Sequence, residues 1–267
     1  MSVQLASRAS LVTHLNQDVS NRDVIPVVAG SAVFSGEERA RFAAGIIAVN
    51  GSATSGLHAE YMAHFELRKR VYLDQTAQLA ATDIQDDGTD RDSDDARSIT
   101  FAVFENTNLG TRVVGVSRII VRGEHSLPIE ISCPEVFAFV PVSAMSVEIS
   151  RVIARHEKAG PQAVIQHHLF AMMLAYVANH RLSRTFAIVE PWLERHLSGV
   201  IAIDCLGEAR YVEHYLDYNL PIEIDIRRST ERVERLDVHI VSLYQSREPA
   251  LRSFGRVSQA SAPVPVH

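Results

Sequence analysis

The chain has 267 residues, 46% of them hydrophobic and 22% charged, with a formal net charge of −6. That is the composition of an ordinary globular protein of one large domain or two small ones, and no apolar run approaches the ~18 residues of a membrane span. The acidic balance argues against nucleic acid as the main partner, because such proteins present a basic excess.

Residues 1–55 read as an accessory leader, with short helices expected at Leu5–Leu15 and Gly36–Ile47 and a turn-rich end from Asn50 to Gly56. Its first thirty residues carry Arg8, Asp18, Arg22 and Asp23 and lack the compact apolar segment of a secretory signal, so a cytoplasmic protein is expected. Met62, Phe65, Leu67, Val71 and Tyr72 recur at helical spacing over Ala59–Leu73. The Asp-rich stretch 82–98 reads as a loop facing solvent over most of its length. Strands are expected at Ile99–Glu105, Val113–Val121 and Val147–Ala154, each short and β-branched. Pro161 then opens a long helix to about Arg181. A strand at Thr185–Glu190, a helix at Pro191–Leu197, strands at Val200–Cys205 and Leu220–Ile226 and a helix at Arg232–Arg247 follow. Residues 56–250 are expected to form the main domain and 251–267 a disordered tail. Consecutive strands followed by βαβ-like crossings predict a mixed α/β sheet, not a doubly wound parallel one.

The chain lacks the common phosphate-loop, dinucleotide, zinc-protease and serine-hydrolase motifs. Cys133 and Cys205 stand in no CxxC pair, and the adjacent His167 and His168 point about 100° apart on their helix, so no metal is expected. What stands out is charge in strands that should be core. Glu148 and Arg151 interrupt VEISRVIA, and Arg118 interrupts VVGVSRIIV. Such charges are costly unless paired or turned to a cleft. Strict alternation would send Glu148 and Arg151 to opposite faces, whereas a β-bulge near Ile149–Ser150 would bring both to one cleft. Arg68 and Tyr72 share one helix face. Asp92 and Asp95 end the acidic loop, and with Arg68 and Arg118 they predict a connected ion network around a polar pocket.

These residues resemble the autoinducer-synthase superfamily, which covers acyl-homoserine-lactone synthases and N-acyl amino acid synthases, including exosortase-associated acyltransferases. The likeness rests on Arg68 to Tyr72 (R-x-x-V-Y), Asp92 to Ala96 (D-x-x-D-A), Gly115 to Arg118 (G-x-x-R), Val147 to Arg151 (V-E-I-S-R) and Glu190 to Leu197 (E-P-W-L-E-R-H-L). It implies the GNAT-type acyltransferase fold, a mixed twisted sheet with a V-shaped central opening. The absence of an aromatic from Asp74 to Leu79 departs from the lactone synthases, and the segments Asp87 to Asp92 and Ser126 to Glu130 look more like the N-acyl amino acid synthases.

The resemblance implies a fatty acyl transfer from a thioester to the amine of an amino-acid-like acceptor, with no tightly bound cofactor. Glu148 is the expected base and Arg151 its catalytic partner. Arg68, Tyr72, Asp92, Asp95, Arg118 and Ser150 would shape the substrate site. CoA-dependent members of the fold carry a glycine-rich pyrophosphate loop where this chain has Arg155 to Gly160, with one glycine at its end. That difference favours acyl carrier protein over acyl-CoA as donor, with Arg155, Lys158, Arg181 and Arg184 expected to meet the carrier's acidic surface. The long helix, through Phe170, Met172 and Met173, could line an acyl pocket. The alternatives are a quorum-sensing homoserine-lactone synthase with S-adenosylmethionine as acceptor, a non-catalytic acyl-binding module, and an acetyl-CoA-dependent acetyltransferase.

Overall fold

The computed structural model describes residues 41–75, 84–108, 110–237 and 240. The expected helix at Leu5–Leu15, the tail 251–267 and the end of the helix expected at Arg232–Arg247 lie outside them. The expected helix at Gly36–Ile47 is corrected: Phe42–Val49 is a strand, β1, joined to the short β2 (Ser52–Ala53) by Asn50 and Gly51. Both turn residues have positive φ, 50° and 71°, as a two-residue Asn-Gly hairpin requires. An apolar run as short as FAAGIIAV fits either period, and its partner strand decides between them. The end of the expected leader therefore belongs to the sheet.

Helix α1 (His58–Lys69) runs into a π-helical turn, Arg70–Gln75, and the Asp-rich segment ends in a 3₁₀ turn, Ser93–Arg97. Strands β3 (Ser98–Thr107), β4 (Gly110–Val121) and β5 (Val147–Ala154) follow, with short helices α2 (Pro128–Ser132) and α3 (Pro134–Phe137) between the last two. Helix α4 (Ala159–Asn179) leads to β6 (Thr185–Val189) and α5 (Pro191–Leu197). Strands β7 (Ile203–Cys205), β8 (Arg210–Val212) and β9 (Asp217–Ile224) and helix α6 (Ile226–Leu236) complete the described chain. The sheet runs β2-β1-β3-β4-β5-β6-β9-β7, with β8 paired to β9. Only β5 and β6 are parallel; every other pairing among the described residues is antiparallel. This is the mixed α/β sheet expected. No described helix is long and apolar enough to cross a membrane.

One face is closed by α4, whose Val164, Ile165, Leu169, Phe170 and Met173 pack on Phe101, Ile119 and Ile149. Phe170, Met172 and Met173 are thus core residues. Gly115 permits this close approach: a Cβ there would sit 2.5 Å from Ile165 Cγ2 and 3.3 Å from Val103 Cβ. Gly115→Ala is expected to destabilise the protein by about 1–3 kcal/mol, the usual scale of overpacking, as read by urea denaturation. The other face carries two apolar clusters. Tyr61, Phe65, Leu67 and Val71 pack on Ala102, Phe104 and Val116, while Leu127, Ile129 and Val136 pack on Ile120 and Phe186.

The opening lies between β5 and β6. They register only at Val147↔Thr185 and Glu148↔Phe186, after which β6 continues along β9 and β5 along β4. Past Glu148 the two parallel strands part, and this is the V-shaped opening expected.

Candidate active site

Val147, Ile149, Val152 and Ala154 of β5 pack with the α4 cluster, while Ile153 joins the cluster on the opposite face. That pattern alternates cleanly except at one place. The β4–β5 register shifts between Val116↔Ile153 and Arg118↔Ser150, so β5 holds one residue more than β4 there. The extra residue is Arg151, whose φ of 54° lies in the left-handed region that a bulky L-residue adopts only at a cost. The bulge thus sits at Arg151 rather than at the expected Ile149–Ser150. It turns Arg151 to the face that already carries Glu148 and Ser150.

That face holds a buried ion network. Arg68 donates from Nε to Asp90 Oδ2 at 2.9 Å and from Nη1 to Asp95 Oδ1 at 3.0 Å, and is itself 1% exposed. Arg118 grips Asp92 with both terminal nitrogens (2.6 and 2.9 Å), reaches Asp95 at 2.8 Å and gives its Nε to Ser150 Oγ at 2.8 Å. Arg151 Nη2 lies 3.4 Å from Asp92 Oδ2, and its guanidinium carbon 5.2 Å from the centroid of the Tyr72 ring. The Asp pair is preset locally: Asp92 accepts from the amides of Asp94 and Asp95, and Asp95 Oδ2 accepts from the Asp92 amide.

Burial alone would raise both carboxyls. Arg118, Arg68 and Arg151 outweigh it at Asp92, as Arg68 and Arg118 do at Asp95, so both are held below the ordinary range. Asp90 goes the other way. Burial raises it despite Arg68, and its Oδ1 has no hydrogen-bond partner. Asp90 was missed in the sequence because nothing in an Asp-rich run tells which members turn inward. The loop is correspondingly less solvent-facing than expected, with Thr89, Asp90 and Asp95 buried.

Glu148 is 1% exposed and stands where β5 and β6 part. Its Oε2 accepts the Ile129 amide at 2.8 Å, from the first turn of α2. Burial pushes its carboxyl up to about 8, against the opposing pull of the Ile129 hydrogen bond and Arg118. Tyr215 was also missed. It lies in the 3₁₀ turn Glu213–Tyr215 between β8 and β9, just before Leu216 in the left-handed region. Burial and Glu148 raise its hydroxyl, with Arg151, Arg118 and Tyr72 within electrostatic reach. The turn is far from Glu148 in sequence and carries no motif, so only the β6–β9 pairing brings it to the cleft.

The four basic residues expected to meet a carrier protein fall into two groups. Arg155 and Lys158 precede α4, whereas Arg181 and Arg184 follow it. A 21-residue helix separates the two pairs by about 30 Å. Arg184 is moreover clamped on Glu223, with Nη1 donating to the Pro141 carbonyl at 2.9 Å. Only Arg155 and Lys158 stand at the C-terminal end of β5, beside the opening. A cavity of about 380 Å³ is lined by Arg181, Arg184, Thr185 and Glu223, at the N-terminal end of β6.

No family model matches the chain, and no curated protein matches it by sequence. Solved structures do. A CoA-dependent acyl-homoserine lactone synthase, BjaI, with SAM and isopentyl-CoA, aligns over 74% of this chain and 90% of its own, at 21% identity and a TM-score of 0.57. The AHL synthase LasI aligns over 74% and 94% at 13% identity and a TM-score of 0.55. FeeM, an N-acyl amino acid synthase from uncultured soil microbes, aligns over 72% and 94% at 16% identity and a TM-score of 0.52. With its mixed sheet and the parting of β5 and β6, the chain has the fold of the acyl-homoserine lactone synthases and of FeeM.

Proposed function

We propose that the protein is an N-acyltransferase that moves a fatty acyl group from a carrier-bound thioester to the amine of an amino-acid-like acceptor. The observation that carries this reading is a buried carboxyl, Glu148, at the point where β5 and β6 part, with Arg151 turned to the same face by a bulge. An amine must lose a proton to attack a thioester, and Glu148 is placed to take it, directly or through a water. Arg151, anchored on Asp92 and packed on Tyr72, would hold the acceptor's carboxylate with its planar fork. Backbone N–H groups of β5 beyond Glu148, where β6 diverges, would receive the oxyanion. Collapse of the tetrahedral adduct forms the amide, breaks the C–S bond and releases the carrier thiol, which takes up the proton. No covalent enzyme intermediate is needed, and Ser150 serves to hold Arg118.

The carrier-bound donor is supported by the turn before α4, which lacks the glycines of a pyrophosphate cradle and presents Arg155 and exposed Lys158 beside the opening. Those cations suit the acidic body of an acyl carrier protein. Long-chain acyl carrier protein is expected to give a much higher kcat/KM than the same chain on CoA. Its rate should fall with added salt, because steering by exposed charges is screened over about 10 Å at 0.1 M. Side-by-side kinetics on the two carriers decide the matter, and equal efficiency without salt dependence overturns the carrier-protein reading. A second reading, S-adenosylmethionine as acceptor, is favoured by the likeness to lactone synthases such as BjaI. Mass spectrometry of the product from acyl carrier protein with amino acids or with S-adenosylmethionine separates the two.

A further inference from the structure

The first turn of a helix leaves backbone N–H groups without intrahelical partners, and it is where proteins most readily seat a phosphate. The first turn of α4 follows the end of β5, and its N-cap donor, the Lys158 amide, is already spent, which leaves the amides of Ala159 and Gly160. The Lys158 amide donates to His156 Nδ1 at 3.0 Å, and the His156 amide donates to Gln162 Oε1 at 3.3 Å. Pro161 has no N–H to give.

The His156 ring is fixed from beneath. Its Nε2 lies 3.3 Å from Glu105 Oε1, and its edge meets Phe42 with ring centroids 6.2 Å apart. The Glu105 side chain is fully buried on β3 and is itself paired with Arg112 Nε at 2.6 Å and with Arg41. Because Nδ1 accepts from an amide, the proton of the neutral ring resides on Nε2 and is given to Glu105. A buried carboxylate therefore sets the tautomer that lets His156 cap the turn.

We infer that His156 is a donor-specificity residue. Held by Glu105, it consumes one of the backbone amides that a pyrophosphate would use there and so biases the cleft against CoA thioesters. It acts through the Lys158 backbone and is a positioning residue, not a catalytic one. The inference rests on the reading that a thioester donor enters beside α4.

Calorimetric titration with desulfo-CoA, an unreactive CoA, tests it on the intact protein. His156→Ala is expected to bind desulfo-CoA about tenfold more tightly than the parent, the value of one hydrogen bond to a charged group. His156→Asn, whose Oδ1 can accept from the amide two residues on, should stay at the parental affinity. Gln162→Ala, which frees the His156 amide, should gain in the same direction. In steady state the ratio of kcat/KM for acyl-CoA to that for acyl carrier protein should rise in His156→Ala by the same factor. Unchanged affinity in His156→Ala overturns the inference, as does an Asn variant that behaves like Ala. Should His156→Ala fail to fold, His156→Leu, which likewise cannot accept the Lys158 amide, decides in its place. Tighter desulfo-CoA binding with no turnover of any thioester would uphold the role of His156 while the acyl-transfer reading falls.

Discussion

Replacing Glu148 by glutamine is expected to lower kcat/KM by about two orders of magnitude, the scale of a lost general base. The fold should survive, since the amide oxygen of Gln can still accept the Ile129 N–H that Glu148 Oε2 accepts now. The pH profile makes the test specific. With its carboxyl pushed up to about 8 by burial, Glu148 is protonated in most molecules at neutral pH. Parental kcat/KM should rise with pH through about 8 as the base forms, and the glutamine variant should lack that limb. Stability should move the other way. An acid whose folded value exceeds its unfolded value stabilises the fold at low pH, and that contribution is lost as pH rises from 4.5 towards 8. Glu148→Gln should therefore be as stable as the parent at pH 8, or more so, while nearly inactive. A variant with near-parental turnover would leave Glu148 a purely structural residue.

Asp92→Ala is expected to cost about 3–5 kcal/mol of stability in urea denaturation at pH 7, the loss seen when one member of a buried ion pair is removed. Asp92 is the hinge of the network. It is the bidentate acceptor for Arg118, the carboxylate nearest Arg151 and the N-cap of the Ser93–Arg97 turn. Without it Arg118 keeps only Asp95 and Ser150, and Arg151 loses its anchor in a strained bulge. The sign with pH also follows. Asp92 and Asp95 are held below their ordinary range, so their contribution is complete above pH ~4 and is lost as pH falls through their folded values. The parent should lose stability steeply below pH 4, and Asp92→Ala more gently. A loss below about 1 kcal/mol would mean the network behaves like a solvated surface pair.

Much of this site was legible in the sequence because charge in a core strand is itself a signal. Glu148, Arg118 and Arg151 interrupt apolar runs, and the expense of burying them required partners: Asp92 and Asp95 for the two arginines and the Ile129 amide for Glu148. The strand limits of β5 and the helix Pro191–Leu197 followed from β-branched runs and a proline at the first helical position. Other features were silent for definable reasons. Asp90 is one acid among many in its loop, and Tyr215 reaches the cleft only through the β6–β9 pairing. The basic residues flanking α4 are close in the chain at each end, but a rigid helix holds the two groups apart.

The sequence by itself determined which residues must be buried and charged together, because hydrophobic periodicity and the cost of unpaired charge are local properties of the chain. Tertiary structure alone decided where they meet. The one-residue slip between β4 and β5 turns Arg151 from the α4 face to the cleft, and a slip of register is a property of two strands together. Likewise FAAGIIAV became a strand because β3 offered it a ladder, and the His156 ring became a cap because Glu105, fifty-one positions away, fixes its proton. Such outcomes depend on pairing between distant segments, and no local pattern encodes the partner.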